Sequence, residues 1–139
     1  YIKNDRHVLL SDYAHHPNEI YHSARSIRQL YQNRKITAIF QPHLYTRTRD
    51  FYKEFADALS QLDEVILCDI YPAREEPIPG VTSKLIYDNL KEGVEKSLIS
   101  KDEVIGLVKE RDFDVLIVLG AGDLDNQVPQ IANIIEAKQ

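Results

Sequence analysis

The chain has 139 residues, of which 43% are hydrophobic and 28% charged, and its formal net charge is −5. That length suits one domain with a real core, and no apolar run approaches the roughly 20 residues of a membrane-spanning helix. The acidic balance argues against nucleic acid or an acidic membrane surface as main partner, and the single cysteine, Cys68, excludes a disulfide framework and a cysteine-rich zinc site.

In chain order, Val8–Leu10 reads as a short strand, paired with Tyr1–Lys3 across the turn-like Asn4–Asp5. Ile20, Ala24, Ile27 and Tyr31 recur at helical spacing. Pro17 suits the first position of that helix, which makes His16 its N-cap. "ITAIF" (36–40) is a second strand, followed by a helix that turns Phe51, Phe55, Leu59 and Leu62 inward. "EVILCDI" (64–70) is a third strand, with Cys68 as a buried thiol within it.

"YPAREEPIPG" (71–80) has three prolines and no periodicity, so it reads as a loop, and a helix is expected from Ser83 to Lys91. "KSLIS" is a short strand candidate, and Ser100–Glu103 is a capping box opening a helix with Val104, Leu107 and Val108 inward. "DVLIVLG" (114–120) is the most apolar strand; the last helix uses Leu124, Val128, Ile131 and Ile135. No repeat, low-complexity tract or linker interrupts the pattern.

Strands alternating with helices predict one α/β domain over residues 1–139: a Rossmann-like, mainly parallel twisted sheet with helices on both faces. The chain contains no methionine and opens directly on "YIKNDRHVLL", from which a piece of a longer polypeptide is expected.

In such sheets ligands bind beyond the carboxyl ends of the strands. The unusual segments all fall there: Asp12–His16, Gln41–Arg49, Asp69–Thr82 and Gly120–Asp125, whereas the loops entering the strands read as plain. "FQPHLYTRTRD" (40–50) supplies His43, Arg47 and Arg49 beside a helix start, a combination suited to a carboxylate or phosphate; the alternative is a pair of solvated arginines. Arg47 and Arg49, two apart, do not share a helix face, so different tasks are expected of them. "GAGD" (120–123) lacks the rest of a P-loop, and none occurs elsewhere, which leaves either close backbone approach to a ligand or a plain strand-to-helix turn. Arg74, Glu75 and Glu76 read as solvated.

In "SDYAHHPNEI" (11–20), adjacent histidines on an extended strand point to opposite faces. With His16 capping, His15 is left to face a pocket. No metal is expected, because zinc-protease spacings are absent, and no nucleophile elbow is present.

"SDYAHHPNEI", "FQPHLYTRTRDF", "DIYPAREEPIPGV" and "LGAGDLD" together resemble the C-terminal domain of the Mur ligases, ATP-dependent enzymes of bacterial peptidoglycan synthesis, over nearly the whole chain. The likeness is to the branch that joins L-alanine to UDP-N-acetylmuramate through an acyl phosphate. A tripeptide-recycling branch, the muropeptide ligases, shares the Asp-aromatic-Ala-His-His-Pro motif but matches the arginine segment less well. The resemblance implies a cytoplasmic domain that closes over N-terminal UDP-binding and central ATPase domains. Those absent domains would hold most of the ATP and Mg2+, leaving the isolated chain inactive.

It further implies that Asp12 holds the ribose hydroxyls of ATP, that Tyr13 and His15 line the substrate and L-alanine side, and that Arg47, near His43, neutralises a carboxylate or phosphate oxygen. His15 and Arg47 would act by positioning and charge stabilisation. The family often carries a second arginine after Pro-His, where this chain has Leu44, which shifts anion binding toward Arg49 or His43. Two other readings remain at this point: a metal-dependent hydrolase using Asp12, His15 and His43, and a non-catalytic nucleotide-binding module.

Overall fold

A computed structural model of the chain describes residues 2–3 and 7–138. Six strands form, most of them on β-branched and apolar runs: β1 (Ile2–Lys3), β2 (Val8–Asp12), β3 (Ile36–Phe40), β4 (Glu64–Leu67), the polar edge strand β5 (Glu95–Leu98) and β6 (Val115–Leu119). They lie in one sheet in the order β1-β2-β6-β3-β4-β5, with β2 through β5 all parallel and β1 antiparallel at the edge. The expected pairing of the first segment with Val8–Leu10 is present as Ile2 opposite Leu9 and Lys3 opposite Val8; its Asn4–Asp5 turn lies outside the described residues.

Every residue of β3 and β6 is buried, as a parallel strand covered on both faces requires. The period of two divides them: Val115, Ile117 and Leu119 join a core under α1 (Pro17–Leu30), α2 (Tyr45–Leu59) and α3 (Lys84–Asn89), represented by Ile20, Phe55 and Ile86. Leu116 and Val118 face a second core under α4 (Val104–Glu110) and α5 (Val128–Ala137), represented by Val108 and Ile131. The α/β architecture with helices on both faces is therefore the one the alternation predicts.

Several boundaries differ. β4 stops at Leu67 rather than Ile70, its pairing with β5 ending at Leu67 opposite Leu98, so the buried Cys68 sits just past the strand. The third helix is shorter than expected, and the Ser100 capping box opens a 3₁₀ turn (Lys101–Glu103) before α4. α2 is kinked at Phe51, whose φ of −129° is non-helical, and the ring swings out to 43% exposure instead of joining Phe55 and Leu59 in the core. Leu62 is buried, but beyond the end of the helix.

The loops entering the strands are not plain. They carry a rim of ion pairs: Arg28 to Asp63 at 2.6 Å, Arg34 to Asp114, Lys35 to Glu95 at 3.1 Å, and Arg111 gripping the buried Glu64 at 2.8 and 3.0 Å. These contacts pin strand starts to helix ends, and they leave the opposite rim free for ligands. Among the described residues no helix is long and apolar enough to cross a membrane.

Candidate functional site

The turn after β2 is organised by two carboxylates. Asp12 accepts the Ala14 N–H at 3.0 Å on Oδ1 and the Ser23 hydroxyl on Oδ2, which ties the turn to α1. Glu19 Oε1 accepts the backbone N–H groups of His15 (3.2 Å) and His16 (3.0 Å), and these bonds hold its carboxyl below the usual carboxylate range. His16 is the extended N-cap residue and Pro17 the first helical one, as expected.

The two imidazoles do not point apart. Residues 13–15 have already left the strand, so the strand rule no longer governs them, and the His15 and His16 rings lie 4.7 Å apart. Tyr13 is 59% exposed, with its ring edge-on to His15.

Beyond β3 the chain is clasped to the proline-rich loop. Tyr71 N–H donates to Pro42 O and Leu44 N–H to Tyr71 O, both at 2.8 Å, and His43 bridges Tyr71. Leu44 then turns with φ at +73°, a region that favours glycine, and α2 begins at Tyr45. Leucine has no polar atom with which to cap a helix. Glu75 takes over that task from across the loop, accepting the Thr46 N–H at 3.1 Å and the Thr46 hydroxyl. It is therefore not a solvated side chain, and those bonds lower its pKa.

His43 and Arg47 stand one helical turn apart at the head of α2. His43 Nδ1 and Arg47 Nη1 are both buried with no hydrogen-bond partner. Such atoms are rare in folded proteins, and each calls for a partner. Burial, then the Arg47 charge, then His15 push the His43 pKa down, so its ring is neutral at pH 7. The His15 and Tyr71 rings each lie 5.5 Å from His43, Tyr71 edge-on. Arg49 faces elsewhere: it is exposed and its Nε donates to Asp50 at 2.9 Å. The two arginines therefore lie in different surroundings.

The "GAGD" turn has a packing explanation. Gly120 has φ +135°, and a Cβ there would lie 2.7 Å from the Gln41 carbonyl oxygen; one on Gly122 would meet Gln41 Oε1 at 2.5 Å and Tyr71 Cβ at 2.7 Å. The glycines admit neighbouring chain, and Gln41 locks the contact by donating to Asp123 and accepting from Leu124 N–H, both at 2.8 Å. Lys101 adds an ion pair to Asp123. Asp12, His15 and His43 do not converge as a metal-binding group; among the described residues the grouping with that capacity is His15, His16 and Glu19.

The sequence profile of the family described as Mur ligase, glutamate ligase domain, matches residues 1–122. This chain belongs to the Mur ligase family. It is 66% identical over 137 residues to the UDP-N-acetylmuramate–L-alanine ligase of Phocaeicola vulgatus and 50% identical over 135 to that of Parabacteroides distasonis. These alignments cover 99% and 97% of this chain but only 30% and 29% of those relatives, so the chain spans under a third of their length. Among solved structures, the UDP-N-acetylmuramate–alanine ligase of Thermotoga maritima superposes with a TM-score of 0.73 at 26% identity, covering 96% of this chain and 27% of that one. A domain of a putative Mur ligase from Haemophilus ducreyi shares the fold, with a TM-score of 0.67 at 16% identity, over 94% of this chain and 92% of its own.

Three residues that organise these turns, Gln41, Tyr71 and Glu75, were given no such role by the sequence reading. Gln41 and Tyr71 carried a signal, a polar and an aromatic residue inside the motifs flanking the strand ends. Glu75 carried none, because its role depends on a loop folding back over α2.

Proposed function

We propose that this chain is the C-terminal, amino-acid-binding and domain-closing part of an ATP-dependent ligase that joins L-alanine to UDP-N-acetylmuramate. The observation that carries the reading is the pair of buried, unpartnered nitrogens on His43 and Arg47 beside His15. A guanidinium next to a neutral imidazole is a receptor for a carboxylate or phosphoryl oxygen. The names of the relatives at 66% and 50% identity favour alanine over the tripeptide-recycling alternative.

In the proposed reaction the substrate's lactoyl carboxylate takes the γ-phosphoryl group of ATP, with release of ADP. The alanine amine then attacks the acyl carbon, the C–O bond to phosphate breaks, and the ammonium proton is lost to solvent. Arg47 neutralises a developing oxyanion and the neutral His43 helps to fix it, a positioning and electrostatic role. His15 and Tyr13 border the amino acid, and Arg49 lies at the outer edge of the same helix head.

Asp12 would take the ribose hydroxyls of ATP. Both its oxygens are engaged, but each retains a lone pair able to accept a further donor. ATP phosphates and Mg2+ would be bound mainly by the central domain, and the whole protein would be cytoplasmic. In the full-length enzyme Arg47→Ala should reduce L-alanine-dependent ADP release at least tenfold, about 1.4 kcal/mol of transition-state stabilisation. Turnover near that of the unaltered enzyme would overturn the assignment, as would ligase turnover by the isolated chain.

A further inference from the structure

The head of α1 carries a side-chain group that the ligase reading does not use as a unit. One ring nitrogen from each of His15 and His16 and one carboxylate oxygen of Glu19 lie within 4.8 Å of one another. We propose that His15, His16 and Glu19 form a binding site for a divalent transition metal of the zinc, cobalt and nickel class, open to water on its outer side.

Three observations prepare the group. First, the Tyr13 carbonyl lies 3.0 Å from His15 Nδ1. A carbonyl can only accept, so Nδ1, which also lies 3.8 Å from Glu19 Oε1, carries the proton in this conformation, and Nε2 is the ring nitrogen left with a free lone pair. Second, Glu19 is fixed through Oε1 by the two backbone N–H groups, which keeps the carboxylate ionised and its second oxygen uncommitted to them. Third, the His16 and Glu19 side chains are exposed. Bonds of about 2.0–2.2 Å to a tetrahedral ion need ligand atoms about 3.4 Å apart, so the 4.8 Å spread has to contract on binding, with the exposed His16 ring as the mobile member and Glu19 held by its backbone bonds.

Two imidazoles and one carboxylate select against Mg2+, which takes oxygen ligands in octahedral geometry, and for metals that accept nitrogen. Water completes the coordination. The site does not depend on the ligase reading, because metal binding is measured on the 139-residue chain itself, without substrates or turnover.

The test is titration of the untagged chain with CoCl2 followed by absorption, with ZnCl2 displacement and calorimetry as the second readout. One equivalent should bind, and a large excess of MgCl2 should not displace it. His16→Ala and Glu19→Gln should each weaken binding at least tenfold. Glutamine can still accept the two backbone bonds, so Glu19→Gln separates metal affinity from helix capping. His22→Ala, which alters an exposed histidine farther along α1, should leave binding unchanged. Absence of saturable binding, or an affinity in His16→Ala and Glu19→Gln equal to that of the unaltered chain, would overturn the proposal, as would displacement by Mg2+.

Discussion

Leu44 sits at the junction between His43 and the first turn of α2 with a φ of +73°. An L-residue in this region costs of order 1–3 kcal/mol, a cost tolerated when the surroundings dictate the conformation. Here the Leu44 N–H bond to Tyr71 and the start of α2 dictate it. The usual preference for alanine over glycine should therefore invert: Leu44→Gly is expected to be more stable than Leu44→Ala by about 1 kcal/mol in urea unfolding. The reverse order would show that this turn relaxes. At the same scale the different surroundings of Arg47 and Arg49 agree with their i, i+2 spacing, which is a property of a helix alone. The motif reading misjudged the His15–His16 pair, because the direction of a side chain in a turn depends on where the strand has stopped.

Among the elements, α2 illustrates what sequence cannot carry. Its amphipathic pattern is legible, and Phe55 and Leu59 are fully buried as expected, yet the helix is kinked at Phe51 and capped from another segment. Glu75 is 29 residues away from the Thr46 it caps. Removing it in Glu75→Ala should cost about 1 kcal/mol of stability, the usual value of a helix cap. A double-mutant cycle with Thr46→Val should show coupling, since both changes delete one shared contact. Strict additivity by urea denaturation would mean that the cap does not form. β3 and β6 were legible throughout, being unbroken apolar runs bounded by polar residues. β4 was over-extended because Cys68 and Ile70 are as apolar and buried as strand residues, although the pairing with β5 ends at Leu67.

Over the whole molecule the two rims of the sheet have separate duties, one holding the fold by charge and the other presenting the site. Burial by itself would raise the pKa of Glu64, but the Arg111 fork, with help from Thr37 and Lys35, brings it below its ordinary 4.5. Asp63 is likewise lowered against its burial by the Ile36 N–H and Arg28. Carboxyls depressed in the folded state contribute stability that is present above the unfolded-chain pKa and lost as pH falls through the folded one. His43 acts in the same direction, since its depressed pKa disfavours protonation in the folded chain below about pH 6.5. Urea midpoints should therefore decline on acidification. Arg111→Ala should be destabilised at pH 7 by at least about 1 kcal/mol, and it should lose less than the parent between pH 7 and pH 4. Parallel pH profiles for the two proteins would exclude this linkage.

The clasp between Pro42–Leu44 and Tyr71 also constrains how the chain tolerates changes in its length. From Tyr71 to Glu75 the loop is held at both ends, by the backbone bonds to Pro42 and Leu44 and by the carboxylate on Thr46. An insertion or deletion inside that span slides Glu75 off the head of α2 and disturbs the residue that carries Arg47. Between Glu76 and Gly80 no such double anchorage operates, so length variation is cheap there. A surface loop is thereby divided into a measured half and a free half, with the boundary at Glu75.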